Sequence, residues 1–193
     1  MISGYDAFED PYAYPRTSVL KNILDIRDAH ALEEYEVEIS SLRAEEPLPL
    51  GDFDPLHYRN VHHHLFQDVY LWAGQYRTVR TSKGGNPFCY PEYISDEMDR
   101  LFWRFENGQK FADLPSKEFV QLGAEFIGEL NVIHPFREGN GRAQLAFLGL
   151  IGLTFGHPFR FDRLNRETFL PAIIDSYFAQ RNPLIEELQK LLA

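Results

Sequence analysis

The chain has a single cysteine, Cys89, and no long apolar run. One thiol excludes an internal disulfide and fits a reducing compartment. The longest apolar stretch, Ala143 to Phe155, is too short and too interrupted by glycine to span a bilayer. Met1-Ile2-Ser3-Gly4-Tyr5-Asp6 lacks the basic and apolar regions of a secretory signal. A cytoplasmic protein without membrane contact is therefore expected, although an effector delivered into a host cytosol would read the same way. Basic charge is also scarce. Against 29 Asp and Glu stand 19 Lys and Arg, a net charge of −10. Binding to nucleic acid rests largely on cations that neutralise phosphates, so no nucleic-acid partner is expected.

What is present is a core. Hydrophobic residues make up 44% of the chain and aromatics 15%, which at 193 residues suffices for one packed domain spanning 1–193. No repeat or low-complexity run divides it. Pro and Gly gather at 47–55 and 84–91, which read as loops. Elsewhere the apolar spacing is helical. Leu32, Tyr35, Ile39 and Leu42 form one stripe, within N-terminal helices expected over 17–46. Tyr58, Val61, Leu65 and Val69 form another, with Asp54 as N-cap and Pro55 at the first helical position. Ser116 can cap a helix whose inner face is Phe119, Leu122, Phe126 and Leu130. Asn165 can cap one through Phe169, Ile173 and Tyr177, and Leu184, Leu188 and Leu191 mark the last. Ala143 to Leu153 is apolar on nearly every face and reads as the central buried helix. Only Tyr76 to Ser82 alternates in the β manner, followed by Gly84-Gly85-Asn86-Pro87 and Phe88-Cys89-Tyr90. The expected class is all-α with a small β-hairpin.

Other conspicuous residues have ordinary readings. Trp72 and Trp103 are expected in the core, Cys89 as a small buried hydrophobe, and Glu97, Asp99 and Glu106 on a solvated helix face. His62, His63 and His64 are consecutive on a helix and point in different directions. One or two in the core, not a metal site, is the reading they support.

The chemistry concentrates in His134-Pro135-Phe136-Arg137-Glu138-Gly139-Asn140-Gly141-Arg142. Pro135 ends the helix before it. Gly139 and Gly141 lack a Cβ, so the backbone can approach a ligand closely. The amides opening the next helix have no intrahelical partners, and the helix dipole adds positive charge, which together make an anion site. Arg142 can add a bidentate phosphate contact. His134 suits general-base work, and Glu138 beside phosphates suits Mg²⁺. Arg77, Arg80 and Lys83 add local basic charge to an acidic protein, as a small polyanion would require.

This segment resembles the signature of the Fic family, H-P-F-x-(D/E)-G-N-G-R, at every specified position. The resemblance extends over residues 10–190. His63 or His64 with Leu65-Phe66, then Tyr70-Leu71-Trp72-Ala73-Gly74-Gln75-Tyr76-Arg77, is similar to the helix and turn before the family's β-hairpin flap. The resemblance implies a helical Fic core over about 55–190, a flap over about 77–90, and a protein adenylyltransferase that uses ATP with Mg²⁺. His134 would deprotonate a Ser, Thr or Tyr hydroxyl of a target protein. Glu138 would hold Mg²⁺, and Phe136, Arg137, Gly139, Asn140, Gly141 and Arg142 would form the nucleotide site, with Phe136 anchoring the loop. Thr81, Ser82, Lys83 and Gly84 of the flap would contact target or nucleotide, the target backbone adding a strand. Short bacterial members are toxins of toxin–antitoxin pairs, which implies a small antitoxin supplying an inhibitory helix, and makes a type II topoisomerase subunit a candidate target.

One position departs. Many members continue as G-R-x-x-R, but here Leu145 stands where the second arginine would orient the terminal phosphate. That leaves alternatives: a Fic-fold transferase of UMP, phosphate or phosphocholine, or a catalytically impaired binding module. Phosphorylating relatives carry Ala and Lys where this chain has Gly139 and Gly141, which counts against phosphate. The family's inhibitory motif, (S/T)-x-x-x-E-(G/N), is approached only by Ser41-Leu42-Arg43-Ala44-Glu45-Glu46, which fails at its last position and reads as a solvated helix end.

Overall fold

The computed structural model describes residues 10–83 and 85–193. Among them seven α-helices follow the apolar periods of the sequence: α1 (Ala29–Glu45), α2 (Pro55–Phe66), α3 (Ile94–Arg104), α4 (Ser116–Ile133), α5 (Asn140–Thr154), α6 (Arg166–Tyr177) and α7 (Asn182–Leu191). The two-stranded antiparallel hairpin is β1 (Ser82–Lys83) and β2 (Asn86–Pro87), with Ser82 opposite Pro87. Asp54 caps α2 by accepting from His57 N, with Pro55 next, and Asn165 caps α6 through Glu167 N.

At the centre α5 packs on α2 and α4, and α4 also meets α3, α6 and α7. Aromatic side chains fill the space between α2, α3, α4 and α5. Phe147 meets Tyr58 and Phe102 edge-on, Phe102 meets Phe126 the same way, and all four rings are sealed from solvent. Each such side chain contributes about 1.5–3 kcal/mol of burial free energy.

Five sequence expectations change. Residues 17–28 carry no helix; the Asn22 side chain bonds the Leu20 carbonyl and both backbone groups of Ile26, holding a turn. Along α1 the deeply buried residues are Leu32, Glu36 and Ser40, and Leu42 faces outward, because the polar pair has a partner across the molecule. Ser116 is the first residue of α4 and makes no cap bond; Pro115 precedes it in extended conformation. Trp103 is 81% exposed. On α3 the buried positions are Ile94, Met98, Leu101 and Phe102, and Trp103 falls on the opposite face. The β-prone stretch from Tyr76 forms strand only at Ser82–Lys83; before it the Arg77 amide bonds Pro135 O and the Thr78 amide bonds the Tyr12 hydroxyl. No helix among the described residues is long and apolar enough to cross a membrane.

Candidate active site

Helix α4 stops at His134, whose amide still donates to Leu130 O at 2.8 Å while its own backbone turns left-handed (φ 50°, ψ 61°). Pro135 follows and cannot extend the helix. The loop then folds on two clamps. Asn140, almost wholly buried, accepts from Phe136 N at 2.9 Å and donates to Phe136 O at 2.8 Å. Phe136 is sealed in the core, stacked 3.7 Å from the ring of His62. His62 in turn accepts at Nδ1 from Gly74 N (2.9 Å), so its proton lies on Nε2, which donates to Glu138 O (2.9 Å). Burial lowers the His62 pKa to about 3, with Arg142 and His63 acting in the same direction, so the ring is a neutral two-ended brace.

The two glycines differ. Gly139 has φ +79°, and a Cβ there would run into the Phe66 ring, so glycine at this position serves the turn and its packing. Gly141 has nothing within 4 Å of an added Cβ. It is exposed at the start of α5, where the first amides lack intrahelical partners. Glu138 is exposed beside it and accepts from Gly139 N at 2.9 Å. Arg142 lies half-buried one turn in. It donates through Nη1 to Ser40 Oγ at 2.8 Å and through Nη2 to the Glu36 carboxylate, and sits 4.7 Å over the Phe66 ring. Glu36 also accepts from the Tyr70 hydroxyl, whose pKa is raised by burial first and by Glu36 second.

Above the loop, the Phe88 ring lies parallel to that of His134, 3.8 Å away and 5° out of plane. Burial lowers the His134 pKa to about 3; Arg77 and then Lys83 add to the effect, and the Asn131 carbonyl opposes it. The imidazole is therefore neutral and able to accept a proton. Its Nδ1 is enclosed without a partner of hydrogen-bonding geometry among the described residues. Lys83 and Ser82 are exposed on β1; Thr81 precedes them with its carbonyl accepting from Phe88 N at 3.1 Å and its hydroxyl enclosed. Gly84 lies outside the described residues.

His134, Glu138, Gly141 and Arg142 thus share one loop and helix start. Three residues of the expected nucleotide set have partners within the protein, Phe136 as the loop anchor expected of it. Phe136 has no exposed face. Asn140 spends its amide on the loop, because an apolar residue there would leave two buried backbone groups unpaired. Arg137 donates twice to Asp10 Oδ2, at 2.8 and 3.0 Å. Sequence reasoning missed Glu36, Ser40, His62, Tyr70 and Asp10. A carboxylate and a hydroxyl at helical spacing from Leu32 were the available clue for the first two. Among the histidine triplet His62 is buried, His63 is exposed and His64 half-buried, and no group of three metal-ligating side chains gathers among the described residues. The groove of about 410 Å³ at Trp103, Arg104, Glu106, Asn107 and Lys110 shares no residue with this loop.

Comparison with known proteins places the site in context. The Fic/DOC family model matches residues 52–152. A Sinorhizobium fredii protein named as probable protein adenylyltransferase y4lH is 47% identical over 189 residues, 97% of this chain and 98% of its own. An Escherichia coli protein named as probable protein adenylyltransferase Fic is 36% identical, over 88% of this chain and 85% of its own. Among solved structures, the N-terminal Fic domain of a VirB-translocated Bep effector from Bartonella quintana, with bound ADP, superposes with a TM-score of 0.84 at 26% identity, covering 94% of each chain.

Proposed function

Since the chain belongs to the Fic/DOC family, we propose that it is a nucleotidyltransferase that moves AMP from ATP onto a Ser, Thr or Tyr hydroxyl of another protein. The observation that carries this reading is the placement of a neutral, sheltered imidazole, His134, on the same loop as the open amides of Gly141 and its neighbours and the guanidinium of Arg142. The curated relatives named as protein adenylyltransferases support the donor and the enzyme class.

His134 takes the proton of the target hydroxyl as its oxygen bonds to the α-phosphorus. The bond from that phosphorus to the bridging oxygen breaks, and pyrophosphate leaves in line. The start of α5 and Arg142 hold the charge that develops on the phosphates, so positioning and electrostatics supply the rate. Glu138, an exposed carboxylate at the mouth of the anion site, fits Mg²⁺ only together with phosphate oxygens, since no group of three metal-ligating side chains gathers among the described residues. Bound there, the ion would neutralise phosphate charge. Lys83 and Ser82 present an exposed strand on which a target segment can add. We further infer a cytoplasmic toxin restrained by a small antitoxin, with a type II topoisomerase subunit as candidate target; loss of toxicity on co-expression with a neighbouring small open reading frame tests this, and equal toxicity with and without it refutes it.

A second reading is favoured by one residue. Leu145 is half-buried, packed against the core, and offers no cation to a terminal phosphate, so a shorter donor, or UTP with transfer of UMP, competes with ATP. Incubation with α-labelled ATP and bacterial lysate, comparing wild type, His134→Ala and Leu145→Arg, separates these. Label should appear on a protein band, vanish in His134→Ala and strengthen in Leu145→Arg, with the adduct mass of AMP. Label that persists without His134 defeats the mechanism, and a different adduct mass replaces the donor.

A further inference from the structure

The most deeply buried cation in the chain, Arg77, has no part in the transfer chemistry above. Only 1% of its surface is exposed, and among the described residues no carboxylate pairs with it. All its partners are backbone carbonyls. Nε donates to His134 O at 2.8 Å, Nη1 to Val79 O at 2.7 Å, and Nη2 to Cys89 O at 2.5 Å and Ile133 O at 3.3 Å. The Arg77 amide donates to Pro135 O at 2.9 Å, and Cys89 N to Val132 O at 3.2 Å.

These acceptors belong to two pieces of chain. Val79 and Cys89 are the two feet of the hairpin. Ile133 and His134 are the last turn of α4, whose carbonyls have no intrahelical donors. A planar fork of five donors can span both pieces, whereas an ammonium offers its three protons at one point. Burying a cation against carbonyls alone is unfavourable, and burial lowers the Arg77 pKa accordingly. A similar-sized apolar side chain would fill the space without that cost. What the arginine adds is the tie.

The tie ends at the reacting group. Its Nε bond fixes the carbonyl of a non-glycine residue in the left-handed conformation, which persists only where the surroundings hold it. The residue before Cys89, Phe88, stacks on the imidazole of that same residue. The geometry points to Arg77 as a positioning residue that locks the flap base to the catalytic turn, so that His134, its ring orientation and the Phe88 stack are set as one unit. The cations facing the imidazole are Arg77 and Lys83, and of these only Arg77 also bonds its backbone. The role assigned rests on the transfer reading, but the contact network does not.

The test uses the full chain with Arg77→Lys and Arg77→Met. Cys89 is a native reporter: as the only cysteine, half-buried at the flap base, it should react with iodoacetamide at least about 10-fold faster in both variants. The His134 ring protons, assigned by comparison with His134→Ala, should lose their ring-current shift from Phe88. At saturating MgATP, label transfer to lysate protein should fall by about 10-fold or more, with the KM for ATP changed by less than about 3-fold. Lysine retains the charge, so failure of Arg77→Lys to restore the stack or the rate separates the tie from the charge. A folded Arg77→Lys protein with unchanged Cys89 reactivity and His134 resonances overturns the proposal. Should both variants unfold, hydrogen exchange on the wild type decides: the amides of Arg77, Phe88 and Cys89 should open together, and independent opening of the flap overturns it. A wild type that transfers no label while showing these signatures refutes the transfer reading and leaves the tie standing.

Discussion

Glu36 of α1 and Arg142 of α5, separated by 106 residues of sequence, form an ion pair at the mouth of the anion site. The Tyr70 hydroxyl fixes the carboxylate from its other side, and Ser40 takes the second guanidinium nitrogen. Arg142 is thereby held in one place, with a third of its side chain still open. It is also partly neutralised before any phosphate arrives.

Replacing Glu36 by Gln should therefore act in opposite directions on binding and stability. The amide keeps an acceptor for Tyr70 or Arg142 but removes the counter-charge, so MgATP should bind about 3–10-fold more tightly, the equivalent of roughly 1 kcal/mol for a pair whose arginine is one third exposed. The loss of charge-assisted bonds should destabilise the fold by about 1–2 kcal/mol. Calorimetric titration and thermal unfolding check the two effects. Weaker binding would mean that holding Arg142 in place outweighs the competition of the carboxylate for it.

The two glycines should respond differently to alanine. Gly139→Ala combines positive φ with collision against Phe66 and should cost about 2–4 kcal/mol in unfolding free energy. Gly141→Ala meets no neighbour and should leave the midpoint of unfolding nearly unchanged, while its methyl stands where phosphate oxygens would approach. Nucleotide affinity should fall at least about 10-fold in this variant. Normal affinity would move the anion away from Gly141.

Asn140→Ala should lose activity through folding of the loop. It strands the amide and carbonyl of Phe136, a cost of about 2–4 kcal/mol. Asn140→Asp retains the acceptor and should recover part of the stability, as denaturant titration would show. Equal stability of all three proteins would return Asn140 to the ligand.

Acid should destabilise the protein before most carboxylates protonate. His62 and His134 have native pKa values near 3, below the unfolded value of 6.5, so the unfolded state binds the extra protons. Their contribution is complete above about pH 6.5 and is lost as pH falls toward 3, at about 1.4 kcal/mol per pH unit for each ring. His134→Asn should halve the slope of unfolding free energy between pH 6 and pH 4. An unchanged slope would mean that the ring is solvated.

The sequence by itself determined the helices with strong apolar periods, because burial of Tyr58, Phe126 or Leu188 is dictated by spacing along one element. It also determined the loop from His134 to Arg142, whose glycines and proline have local backbone reasons. Tertiary structure decided what those residues face. Phe136 and Asn140 turn inward because their partners, His62 and the loop's own backbone, close over them; Arg137 meets Asp10 from far up the chain. Glu36 and Ser40 broke an apolar stripe in a way that only an arginine on another helix explains. Trp103 lies on the face of α3 opposite the buried one. Arg77 read as one more basic residue near the flap, since a tie to four carbonyls on two segments leaves no periodic trace: those contacts exist only after the segments meet.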